Sequence, residues 1–296
     1  MTTAKSNPRI VLSPPQVSFF HQHGYLMLED AVTPATLQLM QLELAQWIEQ
    51  SREHSSAYGE QIDGRPRFSL EPGHCARHPA LRRIASPIEL SDCYLAFMRD
   101  NPALDAVAQL IGPNIKFNNS KINLKHPGSS TAVKYHQDFL FEPHTNQDLI
   151  AVLFFFDDVT LQNGPLEVVP GSHLGPFENL WHDGVFTGAV DEAVEKAARS
   201  RSVPCYGPAG SACLMHTRLL HGSAPNISDS PRTLCILTYT AEDAYPLQQN
   251  HIPSRHEGEL VRGEATNKVR CSDYEMVLPE APKGASFFEQ QAKSVS

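Results

Sequence analysis

The chain has 296 residues, 41% hydrophobic and 19% charged, an ordinary globular balance. Its 24 basic residues against 33 acidic ones leave a net charge of −9, and no basic tract is interleaved with aromatics, which argues against a nucleic-acid partner. The longest apolar run, LIAVLFFF at 149–156, is far too short to span a bilayer and reads as a buried strand, which argues against a membrane partner.

The opening MTTAKSNPRIVL carries no long apolar segment or small-residue cleavage site, so no signal peptide is expected, and residues 1–12 read as a loose arm. Ser13-Pro14-Pro15 is a serine N-cap followed by prolines at the first helical positions, and Gly24 is placed to end that helix. YLML at 25–28 reads as a short strand. Thr33-Pro34 caps a second helix, with Leu37, Met40, Leu44, Trp47 and Ile48 near helical spacing, which predicts packing on the outside of a sheet. Residues 51–87 are polar and arginine-rich and read as loops bordering a site, whereas 91–99 and 102–110 read as helices closed by Gly112-Pro113.

Beyond that point short β-leaning runs recur between Gly, Pro, Asn and Asp: IKFNNSKINL, VKYHQDF, LIAVLFFF, PLEVVPGS, SACLMHT and RTLCILTYT. Strands at this density predict a mainly β sandwich or jelly roll. Residues 174–203 break the pattern, with a short helical candidate in DEAVEKAARSR, and an insertion of that size between strands fits a lid. The boundaries expected are a helical N-terminal part at 13–112, a β core at 113–241 and a wrapping tail at 242–296, all in a single domain. The six cysteines form no Cys-x-x-Cys pair and read as reduced thiols, which fits a cytoplasmic protein.

His136 and Asp138 stand two residues apart in VKYHQDFL, so on an extended strand they share a face. A His-x-Asp pair alone is weak evidence, because the chain holds fourteen histidines. With His221 as third ligand the set becomes two histidines and one carboxylate, which binds Fe(II) and leaves coordination positions open. His221 and Ser223 are again i and i+2, and the turn-forming NISDSP between them and Arg232 lets the chain bring that guanidinium onto a neighbouring strand near Ser223. A hydroxyl beside a guanidinium clamps a carboxylate, the need of a keto-acid cosubstrate. His216 lies five residues before His221, an odd separation that turns it to the other face, so it reads as a hydrogen-bonded core histidine; the remaining histidines read as structural or exposed.

On KINLKHPGSSTAVKYHQD, NGPLEVVPGSH, the PAGS turn at 208–211 and HGSAPNISDSPR, about 120 residues, the chain resembles the phytanoyl-CoA dioxygenase family of Fe(II)- and 2-oxoglutarate-dependent oxygenases. The resemblance implies a double-stranded β-helix (a cupin-like jelly roll) flanked by N-terminal helices, with His136, Asp138 and His221 on iron and Arg232 and Ser223 on the distal carboxylate of 2-oxoglutarate. It implies that Asn123 contacts the same cosubstrate, and that an upstream residue, for which His74, Arg77 and Lys121 are candidates, completes the site. Asp138 retains the carboxylate that halogenases of this fold replace, so the resemblance implies hydroxylation of a small molecule with O2, releasing succinate and CO2. Desaturation, epoxidation and ring rearrangement start from the same chemistry. A cupin-type metalloenzyme independent of 2-oxoglutarate and a non-catalytic binding protein are the rivals. Acyl-CoA, amino acids, ectoine-like solutes and natural-product intermediates all stand as substrates, and Phe139, Phe141 and the Trp181 region are candidate pocket walls. Oligomeric state is not legible.

Overall fold

The computed structural model describes residues 9–280 and Gln291. In chain order the elements are α1 (Pro14–His23), β1 (Tyr25–Leu28), α2 (Pro34–Gln50), β2 (Tyr58–Glu60), β3 (Pro66–Leu70), β4 (Leu81–Ala85), α3 (Asp92–Arg99), α4 (Ala103–Ile111), β5 (Ile115–Lys125), β6 (Val133–His136), β7 (Leu149–Phe155), β8 (Leu166–Val168), β9 (Trp181–His182), β10 (Val185–Phe186), α5 (Glu192–Arg199), β11 (Val203–Cys205), β12 (Ala212–His216), β13 (His221–Ser223), β14 (Arg232–Ala241) and β15 (Leu260–Arg262). Among the described residues these form a major antiparallel sheet ordered β1-β12-β7-β14-β5-β4-β3-β2, with β15 on the end of β5, and a minor sheet ordered β11-β8-β13-β6. The fold is mainly β with antiparallel sheets.

The major sheet is buried on both faces, and β7 shows why its sequence is apolar throughout. Ile150, Val152 and Phe154 join the side chains of α1 to α4 in one core, while Ala151, Leu153 and Phe155 turn to the other face against Leu166, Val168 and Cys205 of the minor sheet. The helices start where expected. Ser13 and Gln16 form a capping box on α1, whose chain leaves through Gly24 at φ 80°; there a Cβ would lie 2.5 Å from His173 Nδ1. Thr33 Oγ1 accepts from the Thr36 amide to cap α2, and Leu37, Met40, Leu44 and Trp47 form its buried stripe.

Three expectations need correction. Residues 51–87 contain strands β2, β3 and β4, which extend the major sheet beyond β5. Their pattern hides because one face is polar: Arg67 is buried by bonds to the Glu60, Ala85 and Ser86 carbonyls and by Glu89 at 3.2 Å. The arm is docked over its described part, with the Leu12 amide bonded to Gln109 Oε1 and Leu12 buried; residues 1–8 lie outside the described residues. Arg232 does not sit on a strand next to Ser223, since β14 pairs β5 and β7 while β13 pairs β6 and β8. The expected insertion at 174–203 carries the hairpin β9–β10 and α5. In the tail, β15 pairs with β5; residues 281–290 and 292–296 lie outside the described residues.

Phe154 is fully buried and meets Phe97 edge-on with ring centroids 4.8 Å apart. Phe154→Ala is expected to cost about 3–5 kcal/mol of folding stability through lost burial and the cavity left behind. Urea unfolding of the variant beside the parent protein measures it.

Candidate active site

β6 and β13 pair antiparallel in a register that sets His136 directly opposite His221, with imidazole centroids 4.3 Å apart. The close approach depends on Gly222, because a Cβ there would stand 2.9 Å from both Tyr135 Cδ2 and the Val133 carbonyl. β6 ends at His136, but Gln137 keeps an extended backbone (φ −115°, ψ 123°), so Asp138 returns to the face of His136 before the chain turns. Gln137, on the other face, donates to the Arg218 carbonyl and accepts from the Glu178 amide, tying the 174–203 insertion to this strand.

One ligand atom from each of His136, Asp138 and His221 lies within 4.8 Å of the others. Both histidines bond a backbone carbonyl through Nδ1, His136 to Lys134 at 2.8 Å and His221 to Leu219 at 2.9 Å. That assigns the proton to Nδ1 and leaves Nε2 turned inward, 3.4 Å and 3.9 Å from Asp138 Oδ1 respectively. Burial, then His136, lowers the His221 pKa to about 4. Burial alone would raise Asp138, yet Lys121 and the two histidines outweigh it and hold that carboxyl well below the usual range. Two imidazoles with Nε2 turned inward and an ionised carboxylate at one point form the donor set that fits a divalent first-row metal such as iron.

From this mouth a cleft runs between the sheets, with apolar walls of Leu153, Leu166, Met215, Leu234 and Ile236. Arg232, Ser223 and Lys125 line it as well. Arg232 is 3% exposed, and its Nε donates to the Gly164 carbonyl at 3.0 Å. Gly164, in the NGP turn, sits at φ 76° with Ala224 O only 2.6 Å from where a Cβ would be, so the turn can present its carbonyl there only as glycine. Lys125 Nζ donates to Ser223 Oγ at 2.7 Å and also to the Ala224 carbonyl. Burial, then Arg232, lowers the Lys125 pKa to about 6.

Asn123 lines the cleft and its Oδ1 is buried without a hydrogen-bond partner. Of the three upstream candidates only Lys121 reaches the site. His74 is bonded to backbone atoms of Ser51, His54 and Ala80, and Arg77 is exposed. His216 sits beside His173, with ring centroids 5.2 Å apart, its Nδ1 accepting from the Arg218 amide. Phe141 lies 5.7 Å from His136, centroid to centroid, and borders the site; Phe139 packs instead on Phe177 and Tyr274, and Trp181 on Phe186. Sequence reasoning missed Lys125, although Lys121, Asn123 and Lys125 alternate on one strand and share its inner face. It also set aside His251, whose ring lies 6.1 Å from Phe141.

The model of the phytanoyl-CoA dioxygenase (PhyH) family matches residues 20–234. The chain is 33% identical over 219 residues to a Stutzerimonas stutzeri protein named "Probable alpha-ketoglutarate-dependent hypophosphite dioxygenase", covering 71% of this chain and 76% of that protein. It is 32% identical over 188 residues to L-proline trans-4-hydroxylase of Streptomyces griseoviridis, covering 55% and 70%. Its fold superposes on EctD from S. alaskensis with 2-oxoglutarate and 5-hydroxyectoine at a TM-score of 0.66, with 21% identity, covering 91% and 95% of the two chains. The chain belongs to the phytanoyl-CoA dioxygenase family. It is an iron- and 2-oxoglutarate-dependent dioxygenase.

Lys125 is ordinarily protonated up to pH 10.5 in the unfolded chain but only to about 6 when folded. Between those limits the unfolded state holds more protons, so this lysine's contribution to stability is complete above the upper limit and is lost as pH falls towards 6. Lys125→Met is therefore expected to flatten the rise of stability with pH in cosubstrate-free protein, as urea unfolding at pH 6.5 and 8.5 would measure.

Proposed function

We propose that His136, Asp138 and His221 hold the iron, and that Arg232, Ser223 and Lys125 hold the distal carboxylate of 2-oxoglutarate, with Asn123 along its length. The observation that carries this reading is the convergence of two inward Nε2 atoms and one carboxylate at the mouth of a cleft whose lining includes Arg232 and Lys125. The two sheets are, on this reading, the halves of a double-stranded β-helix, and the tied insertion at 174–203 serves as a lid. Iron and 2-oxoglutarate together supply the oxidising equivalent from O2, with release of succinate and CO2.

The protein's own residues bind, orient and exclude water. Arg232, fixed by the Gly164 carbonyl, presents its remaining guanidinium donors to the cleft. In its ammonium form Lys125 can only donate, so Ser223 Oγ accepts from it and turns its own proton towards a bound carboxylate. A dianionic cosubstrate would restore the proton that burial takes from Lys125, so binding near neutral pH draws in a proton. The apolar walls keep bulk water from the reacting centre, which strengthens these charge interactions.

The reaction proposed is hydroxylation of a small polar molecule. Hypophosphite and L-proline, for which the two relatives are named, are the first substrates to try. The six unbridged cysteine thiols support a reducing, cytoplasmic setting. Among the described residues, no helix is long and apolar enough to cross a membrane.

His136→Ala and Asp138→Ala are expected to abolish stoichiometric iron binding and succinate formation, measured by metal content and product assay. Gly222→Ala, which would force β13 away from β6, is expected to lower iron affinity about 10–100-fold, as loss of support around metal ligands does. Arg232→Ala should leave iron bound while weakening 2-oxoglutarate by about 1.5–3 kcal/mol for each charged hydrogen bond lost, read from anaerobic titration of the iron–cosubstrate absorption band.

A further inference from the structure

Arg83 lies on β4 opposite Asn123 of β5 and is 4% exposed, yet its Nε is buried without a hydrogen-bond partner. Among the described residues no hydrogen bond or ion pair reaches its guanidinium. The charges that act on it are Arg65, which is repulsive, and Asp138, which is attractive. Two nearby arginines of the same sheet show how unusual this is. Arg82 donates to Thr131 Oγ1 and faces Glu71, and Arg67 is satisfied by three carbonyls and Glu89.

Arg83 is not alone. Lys121, 7% exposed, lines the metal-site cleft and has no hydrogen bond or ion pair among the described residues. His251, brought in by the tail, feels Lys121, Arg83, Asp138 and Arg65, and its Nδ1 is likewise buried without a partner. Arg65 is already engaged by Asp63 at 2.7 Å and by the His251 carbonyl. The other carboxyl here, Glu142, accepts from Asn118 and Asn119, and burial followed by Asp138 pushes its pKa up to about 8, so it offers little negative charge at neutral pH.

A buried guanidinium with no hydrogen-bonded partner is costly, and a bound ligand that supplies acceptor oxygens is the explanation that its place beside the metal site favours. The dianionic cosubstrate offsets the iron, and Asp138 offsets only one of Arg232 and the reprotonated Lys125. Arg83 and Lys121 remain as uncompensated positive charge on the Asp138 side of the site.

We propose that this corner is the substrate site and that Arg83, with Lys121 and His251 beside it, receives the oxygen atoms of a small anionic substrate, a carboxylate or a phosphorus oxoanion. The proposal rests on the reading of His136, Asp138 and His221 as the iron site. Arginine's planar fork suits two oxygens of such an anion and fixes its orientation, so that the bond to be oxidised faces the metal.

The test uses iron- and 2-oxoglutarate-loaded enzyme under anaerobic conditions, titrated with hypophosphite, methylphosphonate, L-proline and L-prolinamide, in which an amide replaces the carboxylate. Binding is read from the perturbation of the iron–cosubstrate band, and turnover from succinate formed once O2 is admitted. At least one anion should perturb the band and stimulate succinate formation, while L-prolinamide does neither; whether the phosphorus or the carboxylate arm responds identifies the source. Arg83→Met should raise the apparent Kd for that anion at least 100-fold with the 2-oxoglutarate Kd within threefold of the parent, and Arg83→Lys should recover part of the loss. Should Arg83→Met fail to fold, Arg83→Lys with the same readouts takes its place, with at least a tenfold rise in the anion Kd expected.

Weakened 2-oxoglutarate binding with anion affinity intact would make Arg83 a cosubstrate ligand and overturn the proposal. So would an unchanged anion Kd in both variants, a response to L-prolinamide equal to that of L-proline, or no response to any anion while the cosubstrate band forms normally. If no band forms at all, the iron-site reading itself fails and this proposal falls with it.

Discussion

The pairing of β6 with β13 is the constraint on which the site depends. Both strands are short, yet their register places His136 opposite His221, and the absence of a side chain at Gly222 lets them close. A slip of one residue in β13 would turn His221 to the opposite face and leave His136 and Asp138 without their third partner. The minor sheet is therefore held from several directions. β8 pairs β13 on its other side, and the Val169 amide bonds to the Leu220 carbonyl. Gln137 anchors the segment that follows.

The same packing sets the chemistry of the groups it buries. The major sheet presents an apolar inner face from β7 and β12, with Leu234 and Ile236 from β14, so the lysines and arginine that enter the space between sheets lose solvation. Lys125 and Arg232 respond in the same direction, both pKa values falling through burial, Lys125 far enough that an anion must restore its proton. His221 at the mouth gains from the same effect, because burial favours its neutral imidazole, the form that binds a metal.

Much of this was legible in the chain, for identifiable reasons. The i and i+2 spacing of His136 and Asp138 needs only an extended backbone, and the turn signal in NISDSP needs only Asn, Asp and Pro. Helices α1 and α2 announce themselves through Ser13-Pro14-Pro15 and Thr33-Pro34. What could not be read is what depends on the sheet being already assembled. In LRRIA, Arg82 and Arg83 are equivalent as sequence, and only the pairing of β4 with β5 decides that Arg83 turns to the site while Arg82 meets Thr131. Strands β2 to β4 looked like loops because a half-polar sheet face puts arginines where alternation predicts apolar side chains. Lys125 was within reach, since a lysine two residues beyond Asn123 on a strand must share its face.

The two ends of the site are built from different parts of the chain, and this has a consequence for what the fold can vary. Arg232, Ser223 and Lys125 stand on central strands held by neighbours on both sides, or at their ends, and Gly164 is fixed by close backbone approach. Arg83 comes instead from the extension β2 to β4, His251 from the tail, and Phe141 from the turn after Asp138. A change in those peripheral segments can alter what lies beside the metal site without disturbing the paired register of His136 and His221. A cosubstrate common to a family would then be served by the invariant demands of sheet pairing, and substrate choice by segments whose packing tolerates change. On that division the anion site proposed at the unpaired guanidinium of Arg83 would carry this chain's own specificity.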